Sequence, residues 1–157
     1  MCPPRGSKPG IVALRRALAD GVVPDGRGHP GALADALTRI GRITNRAGMV
    51  VVISDFRDQQ HWIRPLGILR ARHAVLAVEI GDPREAELPA AGRLKVVDPE
   101  TGRLIEVDTS RRVRDRFAQL EHERREEIAR ELRRLRVDHV TLSTEGDWLA
   151  ALSRRLA

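Results

Sequence analysis

The sequence is poor in cysteine, in aromatic residues and in long apolar runs. Cys2 is its one cysteine, so an intrachain disulfide is excluded and a reducing compartment is expected. Tyrosine is absent, and two phenylalanines and two tryptophans offer little surface for stacking nucleobases. The longest apolar run is far shorter than a membrane span, and the first ten residues lack the apolar core of a signal peptide. These absences predict a cytoplasmic protein with no membrane segment.

Charge, in contrast, is abundant. The 28 basic and 22 acidic residues give a net charge of +6, which raises nucleic acid or anionic lipid as a partner. Lysine occurs only at Lys8 and Lys95, however, and such an arginine bias is also what a GC-rich genome produces. Nucleic acid is therefore not the favoured partner. A hydrophobic fraction of 41% in 157 residues predicts one folded domain with a real core.

Short apolar segments alternate with helical patterns along the chain. MVVVIS at 49–54 predicts a parallel strand buried on both faces and ending at Asp55. Further strands are predicted at 74–80 and 139–143, which indicates an α/β fold with right-handed crossovers. Apolar residues at helical spacing, with Trp62 inward in the third segment, predict helices at 11–19, 31–47 (closed by Gly48), 59–72, 110–136 and from Thr144 onward.

Two segments depart from this alternation. Residues 1–10, with three prolines and two glycines, predict an irregular lead-in. Residues 81–109 predict a hairpin insertion, because RLKVV (93–97) and RLIEV (103–107) flank the turn DPETG. Function in open α/β sheets collects at the carboxyl ends of the strands, where Asp55 would lie.

Motifs for common chemistries are weak or missing. The five histidines show no zinc spacing, and His122 with Glu126 indicates a surface ion contact instead. GRGHPG (26–31) lacks the Lys-Ser/Thr of a phosphate loop, and no G-x-S-x-G elbow occurs. The plain interpretation of Asp55 and Asp58 is that they cap the helix that follows. Thr144, with Asp147 three residues later, resembles a capping box for the last helix.

Three segments together resemble one known family: VVVISDF (50–56), VEIGDPREAELPAAGRLKVVDPETGRLIEVDTS (78–110) and VDHVTLSTEGDWLAALSRRL (137–156). They are similar to the carboxyl-terminal half of the DUF fifty-eight family (domain of unknown function, number fifty-eight), whose core is a von Willebrand factor A-like domain. The resemblance implies a Rossmann-type sheet of order 3-2-1-4-5-6. The three predicted strands would be strands four, five and six, and strands one to three have no counterpart. The expected fold is therefore a single truncated von Willebrand A-like domain, with about three parallel strands flanked by helices, plus the hairpin.

The resemblance also bears on metal binding. Von Willebrand-type domains bind a divalent metal through an Asp-x-Ser-x-Ser loop, a threonine and an aspartate after strand four. Asp55 matches only the last of these, and Gly31 stands where the threonine would be. One carboxylate is a poor magnesium site. We therefore expect Asp55 to be a remnant of a degenerate metal-ion-dependent adhesion site. Magnesium would bind only if another chain supplied the missing ligands.

The function implied by the resemblance is non-enzymatic protein–protein interaction. Such proteins are commonly encoded beside MoxR-type AAA+ ATPases, which are thought to act as chaperones in assembly, so an ATPase of this type is the expected partner. The expected contact residues lie in the loops after strands four and six: Asp55, Arg57, Asp58, Thr144 and Asp147. One alternative is a metal-dependent hydrolase centred on Asp55, with Asp58 and Asp82. A second is nucleic-acid binding by the helix at 110–136, which contains ten arginines and six acidic residues.

An incomplete sheet would leave one edge of the strand at 49–54 without a neighbour. A bare edge reading MVVVI favours pairing or aggregation. Three outcomes are expected: a homodimer that pairs through this edge, another polypeptide that supplies the missing strands, or a chain that is a fragment and is marginally stable alone.

Overall fold

The computed structural model describes residues 7–20, 30–44, 46–58, 61–97 and 104–156. The chain divides into two compact units, Met1–His29 with Val97–Leu104 and Pro30–Val96 with Ile105–Ala157. The DPETG turn, the segment 1–6 and most of the loop between the first two helices lie outside the described residues.

The first unit contains helix α1, Ser7–Asp20. The expectation of an irregular lead-in through residue 10 is wrong from Ser7 onward, because the helix begins there. Pro9 is tolerated in the first helical turn, where backbone N–H groups have no partner within the helix. Ile11 and Val12 of this helix are exposed.

The elements after α1 follow the predicted order. They are α2 (Ala32–Ile43), β1 (Met49–Ser54), α3 (Ile63–Arg70), β2 (Ala74–Gly81), a 3₁₀ turn (Pro83–Glu85), β3 (Arg93–Val97), β4 (Leu104–Asp108), α4 (Arg111–Arg134), β5 (Asp138–Ser143) and α5 (Trp148–Leu156). None of the helices in the described ranges is both long enough and apolar enough to cross a bilayer.

The main sheet has three parallel strands in the order β1-β2-β5. Val50 of β1 pairs with Val75 of β2, and Val78 of β2 pairs with Val140 of β5. Helices flank this sheet, and β3 and β4 form a second, antiparallel sheet of two strands. The predicted α/β class is therefore confirmed, with β1 at an edge of the described sheet.

One face of the main sheet carries most of the core. Alternate residues of β1 and β2 point to this face because side chains in a strand alternate between faces. Helices α2, α3 and α4 cover it with leucine and isoleucine side chains, and Trp62 is fully buried as predicted. The core comprises Val50, Val52, Val75 and Ala77 from the strands and Leu37, Leu66, Leu69, Ile128 and Leu132 from the helices.

The opposite face of the main sheet is covered only in part. Leu76, Val78, Val140 and Leu142 form a smaller cluster there, against which Ala151 and Leu152 of α5 pack. The β1 side chains on this face are exposed, at 63% for Met49, 49% for Val51 and 67% for Ile53. Burial on both faces, predicted for the 49–54 strand, is therefore wrong for β1.

Two helix ends differ from the prediction. Helix α2 ends at Ile43 rather than at Gly48, and Thr44 closes it by donating its backbone N–H and its hydroxyl to the carbonyl of Ile40. Helix α4 ends in a left-handed residue, a position where glycine is usual. Arg136 takes it here, with φ of 55°, and Val137 N–H donates to the Leu132 carbonyl.

The base of the antiparallel hairpin is held by hydrogen bonds of the Thr109 hydroxyl. The Thr109 hydroxyl donates to the Gly92 carbonyl at 2.8 Å and accepts the Ala91 N–H at 3.2 Å. Thr109, which directly follows β4, is 4% exposed, whereas eight of the ten residues of β3 and β4 are exposed. The predicted hairpin strands are thus confirmed, with the second shifted by one residue.

Candidate functional site

The loop after β1 turns sharply, and its side chains alternate between buried and exposed positions. The Ser54 hydroxyl accepts the Phe56 N–H at 3.1 Å, and Asp55 Oδ1 accepts the Arg57 N–H at 3.2 Å. Phe56 adopts φ of 52°, which is rare for a bulky residue, and is 2% exposed with its ring edge-on to Trp62. Burial of Phe56 offsets this backbone strain. Because Phe56 anchors the turn, Asp55 and Arg57 on either side face solvent.

Arg57 is the centre of a charged network. Its Nη2 lies 3.1 Å from Glu85 Oε2, and its Nη1 lies 3.4 Å from Glu121 Oε1. Glu85 belongs to the 3₁₀ turn after β2, and Glu121 belongs to α4. The side chain is 38% exposed, so the guanidinium is held in place by two separate elements and is still open to solvent.

A second arginine completes the network from α4. Arg124 Nη2 lies 3.1 Å from Glu121 Oε2, and Arg124 Nη1 donates to the backbone carbonyl of Asp55 at 3.3 Å. Glu121 is 12% exposed and shared by Arg57 and Arg124. The loop after β1 is therefore fixed to α4 by charge-assisted hydrogen bonds.

Asp58 has a different role from Asp55. Its Oδ1 accepts the backbone N–H of Gly31 at 2.9 Å and lies 3.3 Å from His61 Nδ1. Gly31 is the residue before the first turn of α2. The Asp58 carboxylate therefore caps the N-terminus of a helix that begins 27 residues earlier in the chain. The prediction that Asp55 and Asp58 cap the helix that follows is wrong, because α3 begins only at Ile63.

The loop after β5 carries the other two predicted contact residues. Thr144 donates its N–H to the Gly81 carbonyl at 3.0 Å, which ties this loop to the end of β2. Asp147 Oδ1 accepts the Ala150 N–H at 2.9 Å and so caps α5 by itself. The predicted capping box therefore has its cap at Asp147 rather than at Thr144.

The 3₁₀ turn links the two loops. Arg84 Nε lies 3.7 Å from Glu145 Oε1 in the loop after β5, and the neighbouring Glu85 binds Arg57 in the loop after β1. The carboxyl ends of all three parallel strands thus meet in one charged surface, as the topology predicts. We call this surface the charged rim, formed by Asp55, Arg57, Arg84, Glu85, Glu121, Arg124 and Glu145.

Several members of the charged rim escaped prediction from the sequence. Glu121 lies on α4, and its carboxylate contacts Arg124 of the same helix and Arg57 of the distant loop after β1. The predicted ion contact between His122 and Glu126 is confirmed at 3.4 Å. A signal in the sequence was Arg124, which lies at helical spacing between the apolar residues Leu120 and Ile128 of α4.

Comparison with known proteins identifies the family. The family described as "Protein of unknown function DUF58" matches residues 1–127. The chain belongs to the DUF58 family. It is 42% identical over 127 residues to an uncharacterised protein of Mycobacterium avium, covering 81% of this chain and 75% of that protein. Uncharacterised proteins of Mycobacterium tuberculosis and Mycobacterium bovis are each 40% identical over 130 residues. These 130 residues are 83% of this chain but only 41% of each relative.

The match covers the candidate site unevenly. It includes the loop after β1 and α4 as far as Glu127, and it ends before β5 and α5. No solved structure matches the DUF58 chain.

The residues at Asp55 do not fit a magnesium site. Its side chain is 55% exposed and lies 3.9 Å from Arg57 Nε, and the Arg124 guanidinium sits on its backbone carbonyl. The neighbouring carboxylates Glu85 and Glu121 are engaged by Arg57. Within the described ranges, no group of three or more His, Cys, Asp or Glu side chains is placed to hold a metal. That magnesium binds the DUF58 chain only if another chain supplies the missing ligands stays a prediction.

An apolar groove adjoins the charged rim. It has a volume of about 590 Å³ and runs along the uncovered face of β1 towards α5. Met49, Val51 and Ile53 line one side, and Trp148, which is 54% exposed, lines the other. Thr144 lies at its end, so the loop after β5 belongs to both the groove and the rim of the DUF58 chain.

Proposed function

We propose that this DUF58 chain is a non-enzymatic protein-interaction module. The observation that supports the proposal is the apolar groove beside β1. Three large apolar side chains of one strand are 49–67% exposed, and exposed contiguous apolar surface marks sites of protein association. The parallel arrangement strengthens the argument, since parallel sheets are ordinarily covered on both faces.

We further propose that the sheet is the second half of a von Willebrand A-like fold. The parallel order β1-β2-β5 is the order expected for strands four, five and six of that fold. The position of β1 at an edge, next to where strand one would lie, supports the same assignment.

The proposed partner is a MoxR-type AAA+ ATPase, contacted through the charged rim. Family membership supports this choice, because such proteins are commonly encoded beside these ATPases. Arg57 is the residue best placed for the contact. It is solvent-exposed, and because Glu85 and Glu121 already hold it, little side-chain entropy would be lost on binding.

The test is binding of the purified chain to a mycobacterial MoxR-type ATPase by biolayer interferometry. We expect the wild-type chain to bind and Arg57→Ala to weaken binding about tenfold, the loss of one charge-assisted contact. Arg64→Ala is the matched control, since Arg64 is an exposed arginine on α3 outside the rim.

The outcomes test the charged rim and the ATPase partner separately. Equal weakening by the Arg57 and Arg64 variants would indicate a general charge effect and would reject the rim as the contact. Absence of binding by the wild-type chain would reject the ATPase as partner. The hydrolase and nucleic-acid alternatives stay predictions.

A further inference from the structure

Three short connections lie together at the amino end of the main sheet. They join α2 to β1, α3 to β2 and α4 to β5, and because the three strands are parallel, their first residues share one edge. Each connection follows one pattern, with an arginine in the last turn of the helix and another before the strand. The pairs are Arg42 with Arg46, Arg70 with Arg72, and Arg133 with Arg136. This edge is therefore strongly basic, and it lies opposite the charged rim.

The arginines in the last helical turns have a structural role. The C-terminus of a helix carries about half a negative charge, which a nearby cation offsets. Arg70 also donates its Nε–H to the Arg136 carbonyl at 2.7 Å. Arg46 and Arg72 differ, because they follow the helix ends, are exposed and have no carboxylate within ion-pair distance in the described part of the chain. Their guanidinium groups are therefore open to a ligand.

The connections that lead into β1 and β2 border a cavity of about 300 Å³. Ala74 donates its N–H to the Gly48 carbonyl at 2.9 Å, which holds the two connections side by side. The cavity is lined by Thr44, Arg46, Ala47, Arg72 and His73. No acidic side chain lines it, so the cavity attracts an anion and repels a cation.

His73 is the buried polar residue of this cavity. The residue is 5% exposed, and its Nε2 lies 3.3 Å from the Thr44 hydroxyl oxygen. That hydroxyl already donates to the Ile40 carbonyl at 2.7 Å, so its oxygen accepts and His73 Nε2 is the donor. The other ring nitrogen, Nδ1, has no partner among the described residues and is left for a ligand.

We propose that this cavity binds a phosphate group. A guanidinium donates two parallel hydrogen bonds, which match a pair of phosphate or carboxylate oxygens. A carboxylate has only two oxygens, enough for one guanidinium, whereas a phosphate group has at least three and can accept from Arg46 and Arg72 together. A soluble phosphate compound and a phospholipid headgroup share this chemistry. The inference goes beyond the proposed interaction function and does not depend on it.

The helix ends at this cavity oppose an anion but do not outweigh the arginines. The C-termini of α2 and α3 together contribute about one negative charge, and this effect fades within the last turn. Arg46 and Arg72 contribute two positive charges from positions beyond those turns. Arg42 and Arg70, in the turns themselves, add two more. The net charge around the cavity is therefore positive.

Titration of the whole chain with sodium phosphate tests the proposal. The side-chain signals of the histidines are followed by NMR at constant pH and ionic strength, with sodium chloride as the salt control. We expect the His73 signals to shift and to saturate, because the ring lines the cavity. The signals of His122, which is exposed on α4 and outside the cavity, should stay in place.

Arginine variants locate the binding. Arg46→Ala and Arg72→Ala should each weaken phosphate binding about tenfold, the loss of one charge-assisted contact, and the double variant should abolish it. Arg72→Lys keeps the charge but loses the paired donors, so it should weaken binding less than Arg72→Ala. Arg64→Ala is the matched control, because it removes an exposed arginine at the other end of α3. It should leave phosphate binding unchanged.

Vesicles distinguish the two sources of phosphate. The chain is sedimented with vesicles of phosphatidylglycerol and phosphatidylcholine, and pure phosphatidylcholine vesicles, which carry no net charge, are the control. Binding to the anionic vesicles that the double variant loses would identify a lipid headgroup as the ligand. Saturable phosphate binding without vesicle binding would identify a soluble phosphate compound.

Three results would overturn the inference. One is the absence of a saturable shift of His73. Another is equal weakening by Arg64→Ala and Arg72→Ala, which would reduce the effect to net charge. The third is phosphate binding that the double variant retains, which would place the phosphate elsewhere. None of these results bears on ATPase binding at Arg57, which lies at the opposite edge of the sheet, so the two proposals fail separately.

Discussion

At the scale of single residues, the structure gives each loop aspartate a distinct partner. Asp55, Asp58 and Asp147 all follow strands or precede helices, and the sequence predicted local helix caps for the first two. Asp58 instead reaches Gly31, and its Oδ2 atom is buried with no hydrogen-bond partner among the described residues. A contact across 27 residues leaves no local pattern by which it could be predicted.

The role of Asp58 predicts a specific pair of variants. Asp58→Ala removes the acceptor for Gly31 N–H, and we expect the free energy of unfolding to fall by about 1 kcal/mol, as for lost helix caps. Asp58→Asn keeps an oxygen acceptor and places an amide where a buried oxygen lacks a partner, so its stability should match the wild type. Urea unfolding monitored by circular dichroism measures both. Equal loss in the two variants would contradict the capping role.

At the scale of elements, helical spacing indicates which face is apolar but not what covers it. The helical spacing of Leu120, Ile128 and Leu132 predicts that they share one buried face of α4. Only its second half is buried, with Ile128 at 5% and Leu132 at 0% exposed, whereas Leu120 is 46% exposed. Strand β1 shows the same limit, because its apolar run predicts burial on both faces although α5 packs over β2 and β5 and leaves Met49, Val51 and Ile53 exposed.

The uneven burial of α4 is tested by two identical truncations. Leu132→Ala should lower the free energy of unfolding by about 2–5 kcal/mol, since it leaves a cavity in a closed core. Leu120→Ala should change the free energy of unfolding by less than about 0.5 kcal/mol, as is usual at an exposed site. Denaturant melts of both variants provide the comparison. Similar losses would show that both halves of α4 are packed in solution.

At the scale of the whole molecule, the main sheet has an apolar groove and a free edge on the same strand. Edge strands in stable monomers usually carry lysine, proline or a bulge that discourages pairing. Strand β1 reads MVVVIS and carries none of these. We therefore expect the chain to associate with itself at high concentration when no partner covers it.

A single charge should suppress this association. Ile53 is 67% exposed, so Ile53→Lys should change the free energy of unfolding by no more than about 0.5 kcal/mol. It should lower the weight-average mass at high protein concentration, as measured by light scattering. Ile68→Lys, on the opposite side of the sheet, is the control and should leave association unchanged. Equal effects of both lysines would indicate that net charge, and not the β1 surface, governs association.

The sequence by itself determined the class of fold, the order of the elements and the placement of candidate loops at the strand ends. These follow from local periodicity, which depends on neighbouring residues alone. Only the tertiary structure decided how the groups combine: Arg57 with Glu85 and Glu121, Asp58 with Gly31, and Met49, Val51 and Ile53 along an uncovered groove. The physical reason is that capping, ion pairing and burial depend on which distant segments meet, and a one-dimensional pattern does not encode which strands of a sheet a helix covers.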